Sequence, residues 1–78
     1  MTTGNLPPQL TSVELRSSSR YAETPVAFHW EGERVEVDNV RISWRTPIGI
    51  SFSVLTYDRR IFELHYDNDE DRWYIEPR

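Results

Sequence analysis

Between Pro25 and Pro77 apolar side chains recur at every second position, the spacing that sends alternate residues of a strand to one face. Val26, Phe28 and Trp30 form one such row, and Val35 and Val37 form the next. Glu31-Gly32-Glu33 joins them as a tight hairpin turn in which Gly32 supplies a positive φ. Arg34, Glu36 and Asp38 take the opposite face of the second row. At Asp38-Asn39 the phase slips by one, because the following apolar row is Val40, Ile42 and Trp44. Such a slip demands a bulge or turn, and hence strong local curvature of the kind a barrel corner uses.

Thr46-Pro47-Ile48-Gly49 reads as a connection to a third row, Ile50, Phe52 and Val54, which alternates with Ser51 and Ser53. After a turn at Tyr57-Asp58-Arg59-Arg60, Phe62, Leu64 and Tyr66 point inward, with Ile61, Glu63 and His65 outward. The acidic turn Asp67 to Asp71 leads to Trp73-Tyr74-Ile75, and Pro77 ends the last strand, where its missing donor does least harm. No ten-residue run in this region has helical spacing. The expected fold is all-β: a small five-stranded antiparallel meander, strongly curved or partly closed into a barrel.

The first twenty residues look different. They hold Pro7-Pro8, Ser17-Ser18-Ser19 and scattered apolar side chains, too few to offset the entropy of ordering. A disordered N-terminal arm over 1–20 and a single β domain over 21–78 are expected, and deleting Met1 to Ser19 is expected to leave the fold intact. Thr11 to Arg16 alternates, which raises the competing expectation of an added edge strand.

The chain has 78 residues, so folded without its arm it approaches the size at which stability becomes marginal. Three tryptophans, three phenylalanines and four tyrosines compensate with large apolar side chains. Cysteine is absent, so neither a disulfide nor a thiolate metal site is available. No stretch approaches the roughly 18–20 apolar residues of a membrane span, and the N-terminus lacks the pattern of a secretory leader. A soluble, cytoplasmic protein is therefore the expectation.

All nine basic residues are arginine, against thirteen acidic residues, for a net charge of −4. That balance opposes nonspecific phosphate tracking. Asp67-Asn68-Asp69-Glu70-Asp71 begins like a calcium loop, but the loop's glycine position holds Arg72 and its final ligand position Arg78. A solvated turn is expected there instead. His29 and His65 have no metal-ligand spacing around them and read as surface histidines. Ser51 and Ser53 lack a nucleophile elbow, so no catalytic, cofactor-binding or metal residue is assigned.

The polar row Arg41, Ser43 and Arg45 is the candidate binding face, because two guanidiniums one strand period apart can clamp phosphates or carboxylates. Tyr74 is its candidate aromatic flank, and pairing of the arginines with Glu63 or the acidic turn is the plainer expectation.

The pattern Pro25-x-x-Phe28-x-Trp30-x-Gly32, then Val37, Trp44, Phe62-x-Leu64 and Trp73-x-Ile75, resembles a family of small uncharacterised bacterial β domains over roughly 21–75. Related domains occur C-terminally in proteins similar to Y-family translesion DNA polymerases. The resemblance implies a link to DNA damage tolerance and carries over no catalytic residue. The function expected is a noncatalytic interaction module with a protein partner. Its alternative is a single-stranded nucleic-acid binder using Arg41 and Arg45.

Overall fold

A computed structural model describes residues 9–19 and 22–78. Seven strands form one antiparallel curled sheet, a half-barrel: β1 (Gln9–Thr11), β2 (Val13–Ser19), β3 (Ala22–Trp30), β4 (Glu33–Thr46), β5 (Gly49–Thr56), β6 (Ile61–Asp67) and β7 (Arg72–Pro77). Their spatial order is β1-β7-β6-β5-β4-β3-β2. No helix among the described residues is long and apolar enough to cross a membrane.

The strands beyond Ala22 follow the alternation of the sequence except in the second half of β4. Phe28, Phe52, Val54, Phe62, Leu64 and Ile75 form the buried cluster, with Trp30, Val35, Val37, Val40, Ile50 and Trp73 packed against it. Phe62 lies at its centre, edge-on to Phe28 at 4.9 Å and to Trp30 at 5.4 Å between ring centroids. Edge-to-face contacts of this kind add to the burial of apolar area that drives folding. The β3–β4 turn is closed by Glu31 and Gly32, both at positive φ (51° and 82°), as a two-residue hairpin loop of the favoured hand requires.

Seven strands replace the expected five, and the difference lies in the segment read as a disordered arm. Residues 1–8 and 20–21 fall outside the described residues, but Gln9–Ser19 forms β1 and β2. Gln9, Leu10 and Thr11 pair with Ile75, Tyr74 and Trp73, while Val13 to Ser19 pairs along β3 from Phe28 to Ala22. The break between the two strands falls at Ser12. There the Ser12 carbonyl accepts from the His29 N–H at 3.1 Å, and the Thr11 hydroxyl donates to the His29 carbonyl at 2.6 Å. One short segment thus satisfies both edges of the curled sheet. Val13 packs against the core, and Arg34 clasps Glu14 through two hydrogen bonds of 2.7 and 2.9 Å, tying β2 to β4. Those bonds hold the Glu14 carboxyl below the usual carboxylate range.

The second departure is in β4. Two register shifts occur against β5, between Val37 and Asn39 and again between Val40 and Ile42, where the sequence suggested one. Residues paired across antiparallel strands share a face. Val40 faces Val54 and Ser43 faces Phe52, whereas Ile42 faces Ser53 and Trp44 faces Ser51. The second shift therefore turns Ile42 and Trp44 out onto the convex side and brings Ser43 and Arg45 onto the concave side. Ile42 is 58% exposed and Trp44 37%.

Candidate functional site

β4 is long because it serves two neighbours in turn. Glu33 to Glu36 pair with β3, and Val37 to Thr46 pair with β5 on the other side. Among the described residues, no strand pairs with the side of β4 facing away from β5 between Asp38 and Thr46. This is an open row of backbone donors and acceptors, the feature through which sheets take up an added strand. Its side chains alternate in character, with Arg41, Ser43 and Arg45 exposed beside the outward-facing Ile42 and Trp44.

The structure keeps three of the four sequence-predicted site residues together and removes the fourth. Arg41, Ser43 and Arg45 lie on the open strand, and among the described residues neither arginine makes an ion pair. The cross-strand row from Arg45 runs through Ile50 and Tyr66 to Trp73, so the aromatics in that row are Tyr66 and Trp73. Tyr74 pairs with His65 and belongs to the convex face. Its hydroxyl donates to Glu70 at 2.7 Å. Sequence alternation could not distinguish these faces, because the bulge near Arg41 carries no residue type that marks it.

The acidic turn is structured by its own carboxylates. Asp67 Oδ1 accepts from the backbone N–H groups of Asp69 and Glu70 at 2.9 and 3.0 Å, in the manner of an Asx turn. The Tyr66 hydroxyl donates to Asp71. These bonds to carboxylates, with some burial, push both the Tyr66 and Tyr74 hydroxyls above the ordinary tyrosine range. The carboxylates of Asp67, Glu70 and Asp71 are thus engaged as acceptors along the turn.

A second cluster, unmarked in the sequence, lies on the convex face. Ser51 and His65 are direct cross-strand partners, as are Glu63 and Glu76. Ser51 Oγ and His65 Nδ1 are 2.6 Å apart. On the far side of the ring, His65 Nε2 lies 3.2 Å from Glu76 Oε2 and 3.5 Å from Glu63 Oε1, while Arg78 Nη1 reaches Glu63 Oε2 at 3.2 Å. Trp44 stands edge-on to the imidazole with centroids 6.4 Å apart. The reading of His65 as an ordinary surface histidine is corrected here: its side chain is 27% exposed, Nδ1 is hydrogen-bonded to Ser51, and two carboxylates stand near Nε2. Its partners come from strands distant in sequence, which is why spacing gave no sign of them.

Serine, histidine and glutamate in contact suggest acyl chemistry, but Ser51 is 1% exposed and so cannot meet a substrate carbonyl. The residues able to hold a metal ion are Glu63, His65 and Glu76. His65 and Glu76 border a groove of about 600 Å³ whose other walls include Pro47, Ile48 and Tyr74. No family model, curated protein or solved structure matches the chain.

Proposed function

We propose that the protein is a noncatalytic interaction module whose β4 edge, Asp38 to Thr46, takes an extended segment of a protein partner as an additional strand. The observation that carries this reading is that, among the described residues, one side of β4 is unpaired where Ile42 and Trp44 are exposed and Arg41 and Arg45 make no ion pair. Backbone hydrogen bonds would supply affinity without regard to sequence, and the alternating side chains would supply selectivity.

Charge complementarity selects the class of partner. Arg41 and Arg45 favour a segment bearing Asp or Glu, since carboxylates pair with guanidiniums in bidentate geometry. A second copy of this chain is a poor occupant, because edge-to-edge pairing would set the arginine-bearing strands of two copies side by side. Single-stranded nucleic acid is disfavoured by the net charge of −4 and by the acidic β6–β7 turn.

Affinity capture from native extract with the wild-type chain, Ser43→Pro and Arg41→Glu/Arg45→Glu checks the proposal. Proline removes a backbone donor and obstructs the ladder, whereas the double charge reversal leaves the strand intact and repels the acidic segment. The expected result is a protein held by wild type and lost from both variants, with amides of Asp38 to Thr46 gaining protection from hydrogen exchange in the complex. A partner retained equally by both variants, or binding to an oligonucleotide that falls steeply with salt, contradicts it.

A further inference from the structure

Glu63, His65 and Glu76 are drawn together in a way that hydrogen bonding among them does not explain. Two carboxylates flank one ring nitrogen, and each costs free energy to hold near the other unless a cation lies between them. Arg78 meets only the outer oxygen of Glu63. His65 Nε2 is buried, yet it makes no hydrogen bond, since neither carboxylate contact has hydrogen-bond geometry despite the 3.2 Å approach of Glu76. Oxygens near a ring nitrogen but off its axis are what a metal ion seated on that axis would gather.

The spacing fits such an ion. Zinc binds imidazole nitrogen and carboxylate oxygen at about 2.0–2.2 Å, and the edges of a tetrahedron with bonds of that length are about 3.3–3.6 Å. The Nε2 contacts of 3.2 and 3.5 Å are close to that edge, and the three ligand atoms all lie within 4.8 Å of one another. Outer partners are also present. Ser51 Oγ, 2.6 Å from Nδ1, can accept its proton and so leave the Nε2 lone pair for the ion, while Arg78 fixes the Glu63 carboxylate.

We propose that Glu63, His65 and Glu76 form a three-ligand site for a divalent metal ion of the zinc class on the convex face, with a fourth position open toward the groove that Tyr74 and Ile48 line. One nitrogen and two oxygens suit zinc and its neighbours better than the all-oxygen sets that calcium and magnesium prefer. The site joins β6 to β7, so an occupied ion stabilises the folded chain by binding it in preference to the unfolded one.

Titration calorimetry of metal-free full-length protein with Zn²⁺ tests this, together with the visible spectrum of the Co²⁺ form. One ion per chain is expected, with the intense absorption of tetrahedral Co²⁺. His65→Gln should abolish binding, Glu76→Gln should weaken it at least tenfold, and Ser51→Ala should weaken it about 10–100-fold through loss of ring orientation. Asp69→Asn, in the acidic turn, should bind as wild type does. Circular dichroism establishes that each variant is folded. A wild-type chain that takes up no stoichiometric Zn²⁺, or one whose affinity is unchanged in folded His65→Gln and Glu76→Gln, overturns the site.

Discussion

A chain lacking residues 1–19 is expected to show no cooperative thermal unfolding transition. The deletion removes β1 and β2 together, so β7 loses its pairing at Trp73 to Ile75 and β3 loses its pairing from Ala22 to Phe28. Each lost ladder bond contributes about 1 kcal/mol, and the burial of Val13 against the core is lost as well. Several such bonds, at roughly 5 kcal/mol in all, are comparable to the whole stability of a domain this small, which is about 4–12 kcal/mol. The deletion also bares the two edges of a curled sheet, so the product should aggregate. Differential scanning calorimetry decides the matter: a truncated chain melting within a few degrees of the full chain would show that β1 and β2 are decoration.

Gly49→Ala is expected to be strongly destabilising. A Cβ at that position would stand 1.8 Å from the Tyr66 carbonyl oxygen and 2.9 Å from its carbon. Both atoms are backbone in β6, so relief requires β5 and β6 to part where Gly49 faces Asp67 and where the Asn68 N–H donates to the Ile48 carbonyl at 2.7 Å. Overpacking in a core costs about 1–3 kcal/mol even when side chains can adjust, and a backbone clash of this depth should cost at least about 3 kcal/mol. Gly32→Ala is the control. Gly32 has φ +82° but nothing within 4 Å of an added Cβ, so only the left-handed conformation is penalised, at about 1–2 kcal/mol. Urea unfolding of both variants should show Gly49→Ala as much the weaker; equal midpoints would mean that β5 and β6 do not approach as described.

Much of the sheet was legible in the amino-acid sequence because each antiparallel strand from β5 to β7 turns its large apolar side chains to one face, which writes itself as alternation. Phe52 and Val54, Phe62 and Leu64, and Ile75 all fall where period two puts them. β1 and β2 were obscured because their strand character rests mainly on backbone pairing. Val13 alone of their described apolar residues packs on the core, and Leu10 and Leu15 are exposed. The face of Ile42 and Trp44 was misread for the opposite reason. Large apolar side chains invite placement in a core, and the second bulge of β4, which turns them outward, leaves no compositional mark.

The candidate sites divide along the same physical line. The polar row Arg41, Ser43 and Arg45 was visible as alternation, since it depends on one strand alone, whereas the open edge of that strand depends on where β3 stops pairing. Tyr74 was misassigned, and the cluster of Ser51, Glu63, His65 and Glu76 went unseen, because both depend on which residues of β5, β6 and β7 stand opposite one another. Glu63-x-His65 places two donors on one face of β6, and register alone adds Ser51 and Glu76.

Residue-resolved amide hydrogen exchange of the isolated full-length chain tests most directly the claim that segment 9–19 seals both ends of the sheet while β4 stays open. Slow exchange is expected throughout the paired parts of β3 and β7, together with fast exchange at those β4 amides between Asp38 and Thr46 that point away from β5. Uniform protection of all β4 amides, or rapid exchange of the β3 and β7 amides that face β2 and β1, would contradict it.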